Sequence, residues 1–514
     1  MPVSTKKKAG TNKSGHAGKF PAPAYADAVL SHNFADGQKY FLRPLLDIHY
    51  AHALMLASRR ILSRDEARLI LAGLDGLDLA RIAAARYDGS VEDLFFYVER
   101  ELATRIDPEI AGKLHIARSR NDIDVTLYRM TLRREILTTI DDLALLREAL
   151  IRLARAHLRT VMPAHTHTQP AQPTTLAHYL SAAIEFISRD IGRFRNAWAT
   201  VNRNPLGACA ITTTGFPIDR EMTARLLGFE GLQENSYGAI GGIDYLTETI
   251  GALATSMISL GKFVQDLLLW GTQEFSFIRL GDGYVQTSSI MPQKRNPVAL
   301  EHGRIICSKA YSQAIAVMTS VHNTPFGDIV DVEDDLQPLV FNTFIDARRA
   351  IALLTGAIGS ITVNEAALRR KASGSFLTMT ELADTLTRAE KLSFKMAHHL
   401  VAQTVKALPQ MFGEAAAVEK ACDPRAVIDV LLDIAQTTLG HPLKTPRARL
   451  EAALCPLNFV EVRTVIGGPA PDTVKKFLDD QTAMARADRA WRAGKTRTLA
   501  AAARLVAQAR RRHQ

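Results

Sequence analysis

Apolar residues alternate at spacings of three and four along Ile243, Leu246, Ile250, Leu253, Met257, Leu260, Val264 and Leu267. An unbroken run of this kind marks one face of a helix longer than three heptads. A second stripe, Ile136, Ile140, Leu143, Leu150 and Ala154, predicts another long helix after Asn121. Helical patterns also follow Pro297 and Asp334. Alternating strand patterns are scarce, so the pattern predicts an all-α class from about Asp47 onward. Helices of this length call for a long bundle, and a seam this long is expected to need other chains to cover it.

Glycine and proline cluster at Asn204–Phe216, Gly281–Gly283, His322–Gly327 and Gly467–Pro471, which are the expected loops. At 514 residues the chain exceeds one core. The expected division is a basic tail over 1–21, a helical domain over 22–121, the bundle over 122–372, a second helical domain over 373–480, and an Ala/Arg-rich extension over 481–514.

Charge changes the picture only at the ends. The net +10 comes from five lysines within residues 1–19 and from nine Lys or Arg against Asp488 alone within 481–514. The body between them is slightly acidic. A basic tail can bind polyanions non-specifically; a solvated, partly disordered extension is the plainer reading, and no nucleic-acid partner is expected. Mean hydropathy is near zero and no run of about 18 uninterrupted apolar residues occurs, so no membrane partner is expected. Cys209, Cys307, Cys422 and Cys455 are scattered, as reduced thiols of a cytoplasmic protein would be.

Three polar segments interrupt the helical pattern. The first, Leu114–Asp122, sets Ser119, Arg120 and Asn121 near a helix N-terminus, where backbone N–H groups favour an anion. Arg120 adds a bidentate carboxylate contact, and plain helix capping by Ser119 or Asn121 is the alternative. The second, Pro163–Pro173, holds His165 and His167 in a proline-bounded turn. No carboxylate or cysteine lies nearby to complete a metal site, so acid–base work suits His167 better. The third, Gly281–Pro297, begins with two glycines that suit a mobile lid and continues with Ser288, Ser289, Lys294 and Asn296. Removing a proton beside a carboxylate makes a dianion, and Lys294 and Asn296 are groups that hold one. Alone, this segment also reads as a surface turn.

Together the segments resemble one family. Thr287-Ser-Ser-Ile-Met-Pro-Gln-Lys-Arg-Asn-Pro297 is similar to the signature loop of the fumarase/aspartase superfamily. Arg118-Ser-Arg-Asn-Asp122, Thr166-His167, Pro205-Leu-Gly207 and Phe216-Pro-Ile-Asp-Arg-Glu221 resemble argininosuccinate lyase, collinearly over about 47–481. The resemblance implies a three-domain fold, a homotetramer with active sites shared between subunits, and no metal or organic cofactor. It implies reversible β-elimination of fumarate from an N-succinyl small molecule. Ser288 would be the base, Lys294 and Asn296 would stabilise the aci-carboxylate, and Ser119, Arg120 and Asn121 would grip the succinyl carboxylates. Thr166 and His167 would face them, with Glu301 orienting His167.

The chain departs from that family where the amine half binds. Val330 replaces a lysine, Asp328 a tyrosine and Glu333 a glutamine, while Asp331 matches. Gly241-Gly242-Ile243-Asp244 replaces a charged Ser-Asp-Arg-Asp run. A site that loses a lysine and gains acids is expected to take a cationic amine through Asp328, Asp331 and Glu333, with Asp334 and Asp335 beside them. Helix capping by these acids is the alternative. An authentic argininosuccinate lyase of arginine biosynthesis is the alternative substrate reading. A non-catalytic structural protein on the same fold is the alternative of another class.

Overall fold

The computed structural model describes residues 20–413 and 423–513. The basic segment 1–19, where disorder is expected, lies outside them, as does Cys422. Helix begins earlier than the hydrophobic pattern indicates, running from Pro23 through alternating α and π turns to Phe41.

The principal helices are α1 (Leu42–Ser58), α2 (Arg64–Asp75), α3 (Leu94–Ala103), α4 (Arg120–Ala156), α5 (Leu176–Val201), α6 (Asp244–Trp270), α7 (Val298–Val321), α8 (Gln337–Gly359), α9 (Met379–Glu390), α10 (Phe394–Phe412), α11 (Pro424–Leu439) and α12 (Pro471–Arg511). Helices α4 to α8 form a closed bundle in which α6 packs on α5 and α7, α8 on α7 and α4, and α4 on α5.

The seam of α6 is buried inside this bundle. Leu246, Ile250, Leu253, Leu260 and Val264 have no exposure. This corrects the expectation that other chains must cover it, because α5 and α7 are long enough to do so. The apolar residues left open are different ones, among them Ile258, Ile305, Ile315 and Ile345. The segment Ser236–Trp270 is long and apolar enough to cross a membrane by length and composition, but half of its most apolar stretch is buried inside the molecule.

The main core runs from Phe34 and Leu45 through α4 to Val506, unbroken across residue 121. A second core, with Leu382, Leu400, Ile428 and Leu450, holds α9, α10 and α11 together. Residues 481–513 form no loose extension. They continue α12, a helix of 41 residues along the bundle. Its cations meet acids spread over the chain: Arg489 with Glu148, Arg492 with Asp141, Lys495 with Glu230 and Arg510 with Asp75. Buried Arg147 pairs with Asp488 at 2.8 Å.

Among the described residues three small antiparallel sheets interrupt the helices. β1 (Val161–Thr166) pairs with β2 (Gln169–Thr175), β3 (Ile278–Arg279) with β6 (Thr362–Val363), and β4 (Gln286–Thr287) with β5 (Arg295–Asn296).

Candidate active site

At one end of the bundle a cleft of about 120 Å³ opens beside the start of α4. Ser119 takes the N-cap position. Its N–H donates to Asp122 Oδ1 (2.9 Å) and its hydroxyl to Asn121 Oδ1 (3.1 Å). Asp122 Oδ2 accepts from the backbone N–H of Gly207 (2.7 Å) and Cys209 (3.0 Å). Capping therefore occurs here through Asp122, and it ties the loop after α5 to the start of α4. Burial pushes the Asp122 carboxyl up to about 6 against the pull of those N–H groups.

Asn121, Asp328 and Glu333 line the cleft together with Asp124, Tyr128 and Phe326. The Gly241–Ile243 departure also lies in its wall. A Cβ on Gly241 would sit 3.0 Å from Gly327 N, so glycine there lets the two walls approach. Asp331 is exposed and forms no part of the lining.

Acid dominates the charge. Burial, then the adjacent Asp328, pushes Glu333 up to about 7. Burial, then Asp93, pushes Asp334 up to about 6, and the Tyr128 hydroxyl donates to Asp334 Oδ1 at 3.3 Å. Asp124 is pushed well above the carboxylate range by burial and by Asp334. Arg120 answers them. Its Nη1 meets Glu92 Oε1 at 2.8 Å and its Nε meets Asp93 Oδ2 at 3.0 Å. Arg120 is thus already committed to two carboxylates of its own chain, where the sequence suggests an open carboxylate clamp.

Thr166 and His167 sit at the tip of the β1–β2 hairpin. His167 and Thr168 both take left-handed backbone, with φ of 50° and 62°, and both are exposed. Ser288 and Lys294 lie on the exposed tip of the β4–β5 hairpin, with Asn296 paired to Gln286 at its base. Ser288 Oγ accepts the backbone N–H of Ile290 (3.2 Å) and Met291 (3.0 Å). The glycine front of this loop is anchored and not a free hinge. Gly281 N–H donates to Ser360 Oγ (3.2 Å) and Arg295 meets Asp282 (2.7 Å). Glu301 is exposed in the first turn of α7, and among the described residues no hydrogen bond joins it to His167.

These groups occupy opposite ends of the bundle. The cleft gathers the start of α4 and α6 and the end of α7. The hairpins gather the end of α4 and α6 and the start of α7. At 1.5 Å per residue, the 37 residues of α4 separate Asn121 from the β1–β2 hairpin by about 55 Å. The 27 residues of α6 separate the cleft from the β4–β5 hairpin by about 40 Å. One chain brings Asn121, Asp328 and Glu333 together and keeps Ser288, His167 and Lys294 far from them.

Asp124 and Tyr128 escape a motif-based reading, yet they carry a signal. Arg120, Asp124 and Tyr128 stand four apart, on one face of α4.

A family model described as Lyase matches residues 81–311. Argininosuccinate lyase 2 of Agrobacterium fabrum is 39% identical over 459 residues, covering 89% of this chain and 90% of its own. Argininosuccinate lyase 1 of Shouchella clausii is 35% identical over 463 residues, covering 89% and 90%. EDDS lyase, solved in complex with formate, superposes with a TM-score of 0.83 at 33% identity over 96% of each chain. A class II fumarase from Schistosoma mansoni, 14% identical over 84% of this chain and 91% of its own, shares the fold at a TM-score of 0.61. The all-α fold is that of the fumarase/aspartase superfamily of lyases. The chain belongs to the argininosuccinate lyase family and is a carbon–nitrogen lyase.

Proposed function

We infer that this lyase releases fumarate from an N-substituted aspartate whose amine half is cationic and lacks the carboxylate of arginine. The observation that carries the reading is the acidic cleft. Asp328 and Glu333, with Asp124, stand in its lining, and the guanidinium of Arg120 is already paired with Glu92 and Asp93. An amine bearing its own carboxylate would meet repulsion there, and a cationic amine would replace lost hydration with ion pairs. Tyr237 and Phe326, stacked at 5.8 Å beside the cleft, add aromatic faces that suit a cation.

In this reading Ser288 takes the Cβ proton. Two backbone N–H groups already donate to its oxygen, and hydrogen bonds to a charged form favour it, so the alkoxide is stabilised. The electron pair left on Cβ delocalises into the neighbouring carboxylate, where Lys294 and Asn296 stabilise the dianion. That pair then returns to form the Cα=Cβ bond of fumarate as the Cα–N bond breaks; the electron pair of the broken bond leaves with the amine, which takes up a proton from solvent. Ser119 and Asn121 hold the succinyl carboxylates together with Arg120, which exchanges its contacts to Glu92 and Asp93 for the substrate's; Thr166 and His167 face them, and Glu301 orients His167. Because these groups lie about 40–55 Å apart in one chain, the site needs ends from different chains, which a homotetramer of antiparallel bundles supplies.

A second reading, authentic argininosuccinate lyase, is favoured by the 39% identity over nearly the whole Agrobacterium enzyme. One experiment separates them. Purified protein and Ser288→Ala are given argininosuccinate, then fumarate with short diamines and amino acids in reverse, and fumarate absorbance is followed. Addition of a diamine, abolished in Ser288→Ala, supports the cationic-amine reading. Rapid release from argininosuccinate, abolished in the variant, supports the second and overturns the first.

A further inference from the structure

The segment that delivers Ser119, Arg120 and Asn121 is held by two buried histidines of α1. His49 and His52 stand one helical turn apart, and neither has more than 1% exposure. Arg118 Nη1 donates to His49 Nδ1 at 2.8 Å. His52 Nε2 donates to Ile116 O at 2.8 Å. A carbonyl only accepts, so the His52 proton sits on Nε2; a guanidinium only donates, so His49 must present the lone pair of Nδ1. The His49 ring is thereby fixed as the neutral Nε2–H tautomer, and the His52 contact fixes a proton on Nε2. Burial, reinforced by the Arg118 charge, pushes His52 down to about 3 and His49 down as well.

Between these two contacts Ala117 adopts left-handed backbone, φ 61°. An alanine relaxes from that region unless its neighbours hold it. Ile116 is held by His52 and Arg118 by His49, while Cys209 Sγ donates to Ala117 O at 3.3 Å. Arg118 itself has no exposed side-chain surface, and the carboxylate of Glu99 is farther off, at 3.5 Å. His49 is therefore the close acceptor that sets where Arg118, and the residues after it, stand.

We propose that His49 and His52 are positioning residues of the lyase site, which fix the 116–121 segment so that Ser119, Arg120 and Asn121 meet the succinyl carboxylates. This rests on the functional reading above. Neither histidine lines the cleft, so the effect is indirect, through Arg118 and Ile116.

The test uses the full-length assembled protein and fumarate as the probe. His49→Leu and His52→Leu remove the contacts. His49→Asn and His52→Gln return an acceptor and a donor at nearly the ring-nitrogen positions. Each Leu variant is expected to weaken fumarate binding about tenfold, the loss of one well-formed hydrogen bond, measured calorimetrically and as a competitive inhibition constant. Inhibition by the amine product should stay within about twofold and the conservative variants within about threefold of wild type. Leu variants that bind fumarate at wild-type strength, or that weaken fumarate and amine equally, overturn the proposal. If the Leu variants do not fold, the conservative pair decides: preserved fumarate binding supports it and lost binding overturns it. Wild-type protein that binds no fumarate overturns the lyase site and this inference together. Wild-type binding beside unchanged Leu variants overturns the inference alone.

Discussion

Glu333 stands beside Asp328 in the cleft, and that contact has a measurable sign. A carboxyl raised to about 7 keeps its proton in the folded chain while the unfolded chain releases it near 4.5. Its contribution to stability is present below pH 4.5 and is lost as pH rises through 7. Glu333→Gln should therefore be more stable than wild type at pH 8, by about 1 kcal/mol after allowing for water at a part-open cleft, and nearly equal at pH 4.5. Denaturant melts at the two pH values check this. The same ionisation should tighten the cation site, so KM for the added amine falls between pH 5.5 and 7.5 in wild type. In Glu333→Gln that fall should flatten and KM should rise about tenfold, the worth of one charge-assisted contact. At this scale the sequence was legible where a residue type departs from its family, as at Asp328 and Glu333. It was illegible where the role depends on a partner far along the chain. The commitment of Arg120 to Glu92 and Asp93 crosses a loop and a helix, and no local spacing announces it. Asp331 shows the converse, an acid in the right stretch that the turn leaves in solvent.

Among the elements, the long helices followed from their periodicity, but the hairpins that carry the candidate chemistry did not. β1 and β2 pair Pro163 with Pro173 and fill the tip with Thr, His and Gln, so no alternation of apolar and polar residues marks them. Thr168, β-branched and left-handed, strains that tip. Thr168→Gly should stabilise the fold by roughly 0.5 kcal/mol in thermal melts. The β4–β5 hairpin depends instead on its base. Asp282 is almost fully exposed, so its pair with Arg295 adds little to stability. Asp282→Ala should leave the melting temperature unchanged and still lower kcat several-fold, because it frees the loop proposed to aim Ser288. The Ala/Arg composition of 481–514 reads as a solvated tail because the acids that answer its cations are scattered from Asp75 to Glu230. Truncation after Asp480 would strip Asp488 from buried Arg147. Leaving that charge unpaired costs about 3–5 kcal/mol, and the shortened chain should fail to accumulate as folded protein in an expression and melting assay.

For the whole molecule, the separation of the two ends makes a prediction that no single-chain site shares. Ser288→Ala and Asn121→Ala should each abolish fumarate release. When the two inactive proteins are mixed, unfolded together and reassembled, part of the activity should return, because some sites then draw each end from an intact chain. Recovery absent under conditions where wild type reassembles would place the whole site in one chain. Length alone argued for a bundle, but not for this division of labour, since its seam is satisfied internally and the open faces carry scattered apolar residues such as Leu145, Ile258, Leu269 and Ile305.

That division has a consequence for how the protein behaves in quantity. With the site shared as proposed, a folded chain by itself would be chemically inert and turnover should obey mass action: halving the protein should more than halve the rate once assemblies begin to part. Specific activity should then sag on dilution although every chain keeps its helices, and a newly made chain would stay silent until it finds its companions.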